Sequence, residues 1–384
     1  MIVKRGTKAS QYQSSCVNGE VKTVSQGTVS TQELQEHEQR KEVTQQQRRR
    51  DEDPHQLQQA IHPALPFAGM MCAHGFSDDT ELLTKDGWRG IDEVEVGDAI
   101  ATLNKDSGAI EYQPALNKFE EDYVGPMYHM KSHAADHLVT PNHVMLYESY
   151  GTWKEKTAEE FFITGAKIPV SGIRQQSDLN LYDSDDELRF HVWAVTDGHL
   201  ALTRKTDGRL NYRFRFTRER KIKRLLALLD RLGFAYNVST HKDKITTMSV
   251  LGVHTKFTKI LTDEHRKLSP RQATALLIEW SHTDGSYASS RTEDHFQLST
   301  NVSFHRNLLQ ELAAVSGHKS ICAINKKDGH PDVYMVRIGL NVFRVKSDVI
   351  NRGTVDYAGR IWCLETANHT LIARRNGKVF ISSN

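Results

Sequence analysis

Long apolar runs are missing from this sequence of 384 residues. No stretch is long enough to cross a membrane as a helix, and the opening residues, MIVKRGTKASQYQSS, lack the apolar core of a secretory signal. Cysteine is scarce, and the 4 cysteines are too widely separated for a disulfide framework or a CxxC metal site. We therefore expect a cytoplasmic protein without a membrane partner, in which any important cysteine acts as a free thiol.

A strong charge imbalance is also absent, since the formal net charge is only +2 and indicates no class of partner. Apolar residues make up 38% of the chain, a low share that indicates a poorly packed segment. Near the start lies TQELQEHEQRKEVTQQQRRRDEDPHQLQQ, which is mostly Gln, Glu and Arg and has no sustained heptad of apolar residues. We predict that residues 1–71 form a largely disordered arm, because they cannot bury enough surface to offset their ordering entropy.

Short β-type runs separated by turn signals begin near Cys72 and continue to about residue 172. Helical spacing of apolar residues then appears in RKIKRLLALLDRLGF and SPRQATALLIEWSHTDGSY. The β pattern returns in GRIWCLETANHTLIARRNGKVFISSN. The sequence therefore predicts an all-β domain, formed by 72–172 and 345–384, that is split by an α+β insertion at 173–344.

Four residues in the β segments carry the groups that self-cleavage of a backbone requires. The Cys72 thiol can attack the preceding carbonyl, while Thr140 can hold the scissile amide and His143 can protonate its nitrogen. Asn384 can attack its own carbonyl through its side-chain amide and close a five-membered imide. Each feature alone has an ordinary structural explanation, a turn histidine or a terminal residue. Their order along one β domain is what favours a reactive site.

At these positions the chain resembles an intein, a self-splicing element with a horseshoe-like Hint β domain. SDDTELLTKDGWRGIDEVEVGDAI resembles the opening block of the family, and HLVTPNH resembles the block that carries the activating Thr and His. RIWCLETANHTLIARRNGKVFISSN resembles the two closing blocks, with His369 in the downstream histidine position. The resemblance implies N–S acyl shift, transesterification and asparagine cyclisation, without a cofactor. It also implies that 1–71 and any residues after Asn384 are flanking extein segments.

Two positions depart from the family pattern. Most inteins have a histidine before the terminal asparagine, where this chain has Ser383. We expect His369, carried on an adjacent strand, to donate the proton instead. Ligation would further require a Cys, Ser or Thr directly after Asn384.

The position of the upstream nucleophile also departs from the family pattern. The first cysteine of the family aligns with Gly75, three residues after Cys72. Cys363 stands where many inteins have an aspartate, and one subgroup uses a cysteine there to attack the upstream bond. That subgroup has a tryptophan where this chain has Met145. We expect Cys72 to be the first nucleophile, with Cys363 as an assisting thiol, as the attacking group itself or as a buried core residue.

The insertion contains one phrase twice: an apolar helix, then Thr-Asp-Gly, then a strand-like alternation. The aspartates, Asp197 and Asp284, are 87 positions apart. Two such helices packed side by side would bring both carboxylates together, and paired carboxylates bind divalent metals. Thr-Asp-Gly is also a common helix stop. The duplication resembles LAGLIDADG homing endonucleases, which implies Mg²⁺ at Asp197 and Asp284 and cleavage of double-stranded DNA at the intein-free host site.

A basic segment follows the first Thr-Asp-Gly. Arg213 and Arg215 alternate with Phe214 and Phe216, which predicts a strand with one basic face. Lys221, further on, fits a solvated helix face. We predict that the following arginines contact DNA: Arg204, Arg209, Arg213, Arg215 and Arg218.

The sequence thus favours a monomeric, self-splicing intein with an inserted DNA endonuclease. The alternative is a stand-alone LAGLIDADG endonuclease whose Hint domain is inactive or only cleaves. A third hypothesis places the activity in residues 1–71, but these residues contain no motif that identifies one.

Overall fold

A computed structural model describes residues 74–384 apart from 165, 176–180, 202–209, 243, 288–293, 327 and 347–350, together with the backbone of three earlier segments. The chain divides into two compact units, Met1–Met70 and Met71–Asn384. In the described part, no helix combines the length and apolar character needed to span a lipid bilayer.

The first unit contains three antiparallel strands, β1 (Ile2–Arg5), β2 (Lys8–Val17) and β3 (Glu20–Thr28). We expected a disordered arm here, and for these strands the expectation was wrong. Val17 pairs with Glu20, and the sequence between them is Asn-Gly, the dipeptide that most favours a two-residue hairpin. Low apolar content concealed this local turn signal. The polar run at 29–71 lies outside the described residues.

The second unit is mostly β. Its first part consists of short strands and one helix: β4 (Phe76–Ser77), β5 (Glu81–Thr84), β6 (Gly87–Arg89), β7 (Ala99–Leu103), β8 (Ala109–Pro114), β9 (Asn117–Lys131), β10 (Asp136–Val139), β11 (Val144–Ser149), β12 (Thr152–Thr157), α1 (Ala158–Thr164), β13 (Lys167–Pro169) and β14 (Ile173–Arg174).

The middle of the chain alternates helices with β-hairpins. Its elements are α2 (Asp185–Val195), β15 (His199–Ala201), β16 (Leu210–Phe216), α3 (Glu219–Leu232), β17 (Ala235–Thr240), β18 (Thr246–Val253), α4 (Pro270–His282), β19 (Gly285–Tyr287), β20 (His295–Thr300), α5 (Ser303–Ala314), β21 (Lys319–Asn325) and β22 (Val333–Gly339). A 3-10 turn, Asp263–Lys267, precedes α4.

The last part returns to β structure with β23 (Arg344–Lys346), β24 (Asn351–Glu365), β25 (Thr370–Arg375) and β26 (Lys378–Ser383). These strands pair with the first part across the whole insertion. β24 pairs antiparallel with β9 along fifteen residues, and β25 pairs with β5. β10, β4, β24 and β9 close into a small barrel. The two ends of this unit therefore build shared sheets around one apolar core.

The middle elements form two copies of one arrangement. Each copy runs helix, hairpin, helix, hairpin, and the strand orders are β15-β16-β18-β17 and β19-β20-β22-β21. Helices α2 and α4 pack against each other, and the buried Trp193 donates its indole N–H to Glu279 across that contact at 2.7 Å. The repeated phrase of the sequence thus corresponds to a repeated fold, with a single apolar core.

One strand pair joins the second copy to the last strand. β21 pairs with β26, and the Gly377 carbonyl between β25 and β26 accepts hydrogen bonds from the Cys322 N–H at 2.7 Å and the Gln310 side chain at 2.9 Å. The buried Arg374 forms an ion pair with Glu81. The repeat and the terminal hairpin therefore share one continuous sheet.

The substitution Gly377→Ala should make the protein less stable at this junction. Gly377 has φ of 71°, and an added Cβ would lie 2.4 Å from the Cys322 carbonyl oxygen. Strain and overpacking should lower the free energy of unfolding by at least about 2 kcal/mol, measured by urea denaturation. Gly353→Ala is the matched control, because nothing lies within 4 Å of its added Cβ. Equal stability of the two variants would contradict the tight packing at Gly377.

Candidate functional site

Thr140, which follows strand β10, holds the backbone at Gly75. The Gly75 N–H donates to Thr140 Oγ1 at 3.0 Å, and the Thr140 N–H donates back to the Gly75 carbonyl at 3.1 Å. An added Cβ at Gly75 would lie 2.9 Å from the Trp362 carbonyl oxygen, so the backbone is packed tightly against β24. The amide nitrogen that Thr140 binds is that of the His74–Gly75 bond.

A thiol and two imidazoles meet beside this amide. One ring nitrogen each of His74 and His143 and the Sγ of Cys363 all lie within 4.8 Å of one another. His143 and Cys363 are fully buried, and His74 is half-buried. Burial raises the pKa of Cys363 to about 12, so the resting group is a neutral thiol. These donor types suit a soft metal ion such as zinc, but they also suit acyl transfer from the adjacent carbonyl.

His143 is held by the last strand. Its Nε2 lies 3.0 Å from Ser382 Oγ, and its ring packs against Phe76 with centroids 4.4 Å apart. Its Nδ1 is buried and has no hydrogen-bond partner among the described residues. Burial, and secondarily the nearby His74, lowers the pKa of His143 to about 3. The imidazole is therefore neutral at pH 7 and is able to accept a proton.

Burial of neutral histidines predicts acid lability. Desolvation lowers the pKa of His137, His143 and His191 to about 3, and of His305 and His318 to about 4. Because these folded-state values lie below the unfolded value of 6.5, the unfolded chain binds more protons. The stability is present above about pH 6.5 and is lost as the pH falls toward 4, by up to about 1.4 kcal/mol per pH unit for each histidine.

Urea denaturation at pH 7.5 and pH 5.5 measures this loss. His137→Gln should flatten the pH dependence, and His133→Gln, at an exposed histidine, is the control. Equal stability of the parent protein at both pH values would contradict the buried neutral state.

The downstream end lies next to the same cluster. Asn384 donates its side-chain N–H to the Leu364 carbonyl, one residue beyond Cys363, and its N–H to the His369 carbonyl at 3.3 Å. Its Oδ1 is buried without a described partner. Strand β26 therefore brings the asparagine to the end of β24, which carries the thiol, and to the turn that follows it.

Ser383 is fully buried and donates to the Glu155 carboxylate at 2.7 Å, which Lys105 also contacts at 2.7 Å. Partial burial acts to raise the pKa of Glu155, but the hydrogen bonds from Lys105 and Ser383 outweigh it and keep that pKa below its usual value. The serine is thus bound to a charged pair.

His369 differs from the expectation in two respects. It lies in the turn before β25, with φ of 50°, and not on a strand. Its side chain is exposed, while its backbone carbonyl binds Asn384. The Thr366 to Thr370 turn forces this geometry, since the His369 N–H bonds to the Thr366 carbonyl at 3.0 Å. The sequence pattern identified a neighbour of the asparagine but not the atom that contacts it.

Cys72 lies outside the described residues, so its position is not part of the site described. Thr140, His143, Cys363, His369 and Asn384 come together, although up to 244 positions separate them in the chain. His74, Ser382 and Glu155 were missed by the sequence analysis, because nothing local in the sequence distinguishes them.

In the repeated domain, Asp197 and Asp284 follow the paired helices α2 and α4. Desolvation, and secondarily the charge of Asp197, raises the pKa of Asp284. Lys259 donates to the carbonyls of Val195 and Gly198, at 2.8 and 2.6 Å. Burial lowers the pKa of Lys259, and the charges of Asp284 and Asp197 oppose that shift. The two carboxylates therefore interact, and a divalent cation would relieve their repulsion.

Lys221 is not on a solvated face. Its ammonium group contacts both oxygens of Asp197, at 2.9 and 2.7 Å. A cation binding between the carboxylates would share Asp197 with this lysine or displace it.

The glycines after the two aspartates let the chain turn tightly against the last turn of the preceding helix. A Cβ at Gly198 would lie 2.7 Å from the Ala194 carbonyl oxygen, and one at Gly285 would lie 2.8 Å from that of Ser281. In each copy the contact is with the residue four positions earlier. The Asp-Gly order therefore fits the close turn at the end of each helix, where a side chain larger than that of glycine would clash.

Strand β16 has the predicted alternation. Tyr212, Phe214 and Phe216 are buried, and Arg213 and Arg215 are exposed on the opposite face. Neither arginine makes an ion pair within the described part of the chain. Arg218 is exposed just before α3, whereas Arg204 and Arg209 fall in the undescribed stretch 202–209. The corresponding polar residues of the two sheets were not singled out from the sequence. These are His199 and Asn237 in the first copy and Gln297 and Arg337 in the second.

No family model matches the chain. Curated relatives match in part. The ATP-dependent Clp protease proteolytic subunit of Chlamydomonas moewusii is 39% identical over 124 residues, which is 32% of this chain and 12% of that protein. The ribonucleoside-diphosphate reductase subunit beta of Aquifex aeolicus is 22% identical over 358 residues, which is 80% of this chain and 50% of that protein. A DNA-directed RNA polymerase subunit beta section of Stigeoclonium helveticum is 28% identical over 134 residues, covering 35% and 12%. The chain thus spans half or less of each relative's length.

Solved structures resemble about two fifths of the chain. The homing endonuclease I-DmoI in complex with DNA and Mn has a TM-score of 0.30 at 16% identity and covers 41% of this chain and 92% of its own. Full-length DUF199/WhiA from Thermatoga maritima has a TM-score of 0.31 at 14% identity and covers 40% of this chain and 52% of its own. A structure titled the N-terminal LAGLIDADG domain of DUF199/WhiA has a TM-score of 0.29 at 12% identity and covers 40% of this chain and 77% of its own. These scores are too low to establish a shared fold.

Proposed function

We propose that the chain is a self-processing intein whose β domain cleaves and rejoins its own backbone. The convergence of Cys363, His143 and Thr140 on the His74–Gly75 amide, with Asn384 bound one residue beyond Cys363, carries the proposal. Residues so far apart in the chain share this site only because β24 pairs with β4 and β25 pairs with β5 across the insertion, while β26 pairs with β25. A structural core does not require a thiol and an imidazole beside one peptide bond, with a carboxamide bound one residue beyond the thiol.

In the upstream step, Cys363 is the attacking group. Sγ transfers its proton to Nδ1 of His143 as sulfur attacks the carbonyl carbon of His74. The C–N bond to Gly75 breaks, and the proton passes from His143 to the leaving nitrogen. A thioester joins His74 to Cys363, and Gly75 has a free amine. Both groups are neutral at rest, so proton transfer accompanies the attack, and we expect a slow reaction.

This assignment changes the sequence-based preference for Cys72. Thr140 holds the amide of Gly75, whereas attack by Cys72 would cut three residues earlier. Cys363 is the thiol next to the amide that is held. Position 75 also aligns with the first residue of the family, which supports Gly75 as the first residue after the cut.

In the downstream step, Asn384 Nδ2 attacks its own carbonyl carbon, and the amine of the following residue leaves with one proton from that nitrogen. Leu364 accepts a hydrogen bond from the attacking nitrogen and orients it. Ser383, bound to Glu155 and Lys105, occupies the position of the missing penultimate histidine and fixes the strand end.

The relatives support an inserted element. They are named as a protease subunit, a reductase subunit and a polymerase section, and the chain covers only 12 to 50% of each. Segments shared by proteins of unrelated names fit an element carried within different hosts better than one host activity.

Hydroxylamine cleavage tests the upstream step. In Asn384→Ala the downstream step is blocked, so the thioester should accumulate and hydroxylamine should release a fragment that begins at Gly75. A fragment beginning at Cys72 would return the role to that cysteine, and no cleavage would count against self-processing.

A second function, cleavage of double-stranded DNA, rests on the duplicated fold and its two interacting aspartates. When bound at Asp197 and Asp284, Mg²⁺ would activate water and stabilise the leaving oxygen. Arg213 and Arg215, exposed and unpaired in the described part, would bind phosphates along the sheet. We propose the intein-free host site as the target.

The alternative, a stand-alone endonuclease with an inactive β domain, makes a different prediction. It requires DNA cutting with Mg²⁺ and an unchanged mass of the chain in reductant. Cutting combined with self-cleavage but without ligation would fit a stand-alone endonuclease whose β domain only cleaves. Ligation of the flanking segments would favour the intein, and self-cleavage without cutting would leave the insertion inactive.

A further inference from the structure

We infer that Ser382 is a positioning residue that fixes the tautomer of His143; this inference rests on the proposed self-processing function. Ser382 is fully buried on β26. Its Oγ lies 3.0 Å from His143 Nε2 and 3.2 Å from the Val144 carbonyl oxygen. The hydroxyl thus lies between an imidazole and a group that can only accept.

The proton positions follow from these two contacts. A carbonyl oxygen cannot donate, so the single Ser382 proton points to Val144. Ser382 Oγ must then accept from His143, which places the imidazole proton on Nε2. In the opposite arrangement, Oγ would donate to Nε2 and face the Val144 oxygen with a lone pair, leaving a close contact without a proton.

The consequence lies on the other side of the ring. With the proton on Nε2, His143 Nδ1 has a lone pair, and Nδ1 is the ring nitrogen without a hydrogen-bond partner in the described part. That lone pair is what the Cys363 thiol needs as a proton acceptor. The other tautomer would bury an N–H without an acceptor and would leave no base for the thiol.

Ser382 also connects the two cleavage points. It lies on the strand that leads to Asn384, two residues before it. A shift of β26 that breaks the Ser382 contact would therefore no longer hold the His143 proton on Nε2. The upstream step should depend on correct seating of the strand that delivers the downstream asparagine.

Nitrogen-15 NMR of the folded chain labelled at histidine measures the tautomer directly. We expect the His143 resonances at pH 7.5 to show a protonated Nε2 and an unprotonated Nδ1. A protonated Nδ1 in the unmodified protein would overturn the inference. The measurement needs no splicing, so it remains decisive if the proposed function fails.

Variants in the Asn384→Ala background test the effect on rate. Ser382→Ala should slow hydroxylamine-induced upstream cleavage at least tenfold and mix the two tautomers. Ser382→Thr keeps the hydroxyl and should restore both the rate and the tautomer. Ser320→Ala, at a buried serine of β21, is the control for cavity formation. An unchanged rate in folded Ser382→Ala would overturn the inference. The same His143 tautomer in Ser382→Ala and Ser382→Thr would also overturn it.

Discussion

Cys363→Ala should abolish upstream cleavage, with a loss of at least about 1000-fold, because the variant removes the nucleophile itself. The described site offers no substitute, since the other described cysteine, Cys322, lies in β21 of the repeated domain. Intact mass analysis after hydroxylamine treatment of the Asn384→Ala background gives the cleaved fraction.

Two controls separate this loss from misfolding. Cys322→Ala removes another buried free thiol and should cleave at the parent rate. Cys72→Ala should also cleave, because Thr140 holds the amide of Gly75. Loss of cleavage in Cys72→Ala with normal cleavage in Cys363→Ala would reverse the assignment.

Asp284→Asn and Asp197→Asn should each eliminate Mg²⁺-dependent cutting of DNA that spans the intein-free host site. Each variant removes one of two carboxylates proposed to share the metal, and a loss of at least about 100-fold is expected. The measurement is the rate of linearisation of a plasmid carrying that site.

Asp230→Asn is the matched control, because Asp230 is an exposed aspartate at the far end of α3. Upstream self-cleavage should survive in both catalytic variants, since neither aspartate touches the cysteine site. Undiminished cutting in Asp197→Asn would show that its ion pair with Lys221 is purely structural.

Local periodicity predicted much of this fold. The alternation of Arg213 and Arg215 with buried phenylalanines follows from the period of a strand, and the twofold Thr-Asp-Gly phrase reappears as a duplicated helix and hairpin order. The same reasoning failed at β2 and β3, where low apolar content outweighed an Asn-Gly turn signal.

Local sequence periodicity does not predict which distant segments come into contact. The position of Cys363 beside the held amide depends on β4 pairing with both β10 and β24, and sequence spacing does not encode that register. The bonds from Ser382 to His143 and from Lys221 to Asp197 likewise join elements that only the tertiary fold brings together. The motifs indicated side chains that the fold brings together but not which atoms they contact.

The most direct test of self-splicing is intact mass analysis of the chain expressed with a Ser-led tail after Asn384. We predict a product in which residues 1–74 are joined to the tail, together with an excised segment 75–384 that ends in a cyclic imide. A chain that keeps its full mass through long incubation in reductant would contradict the account.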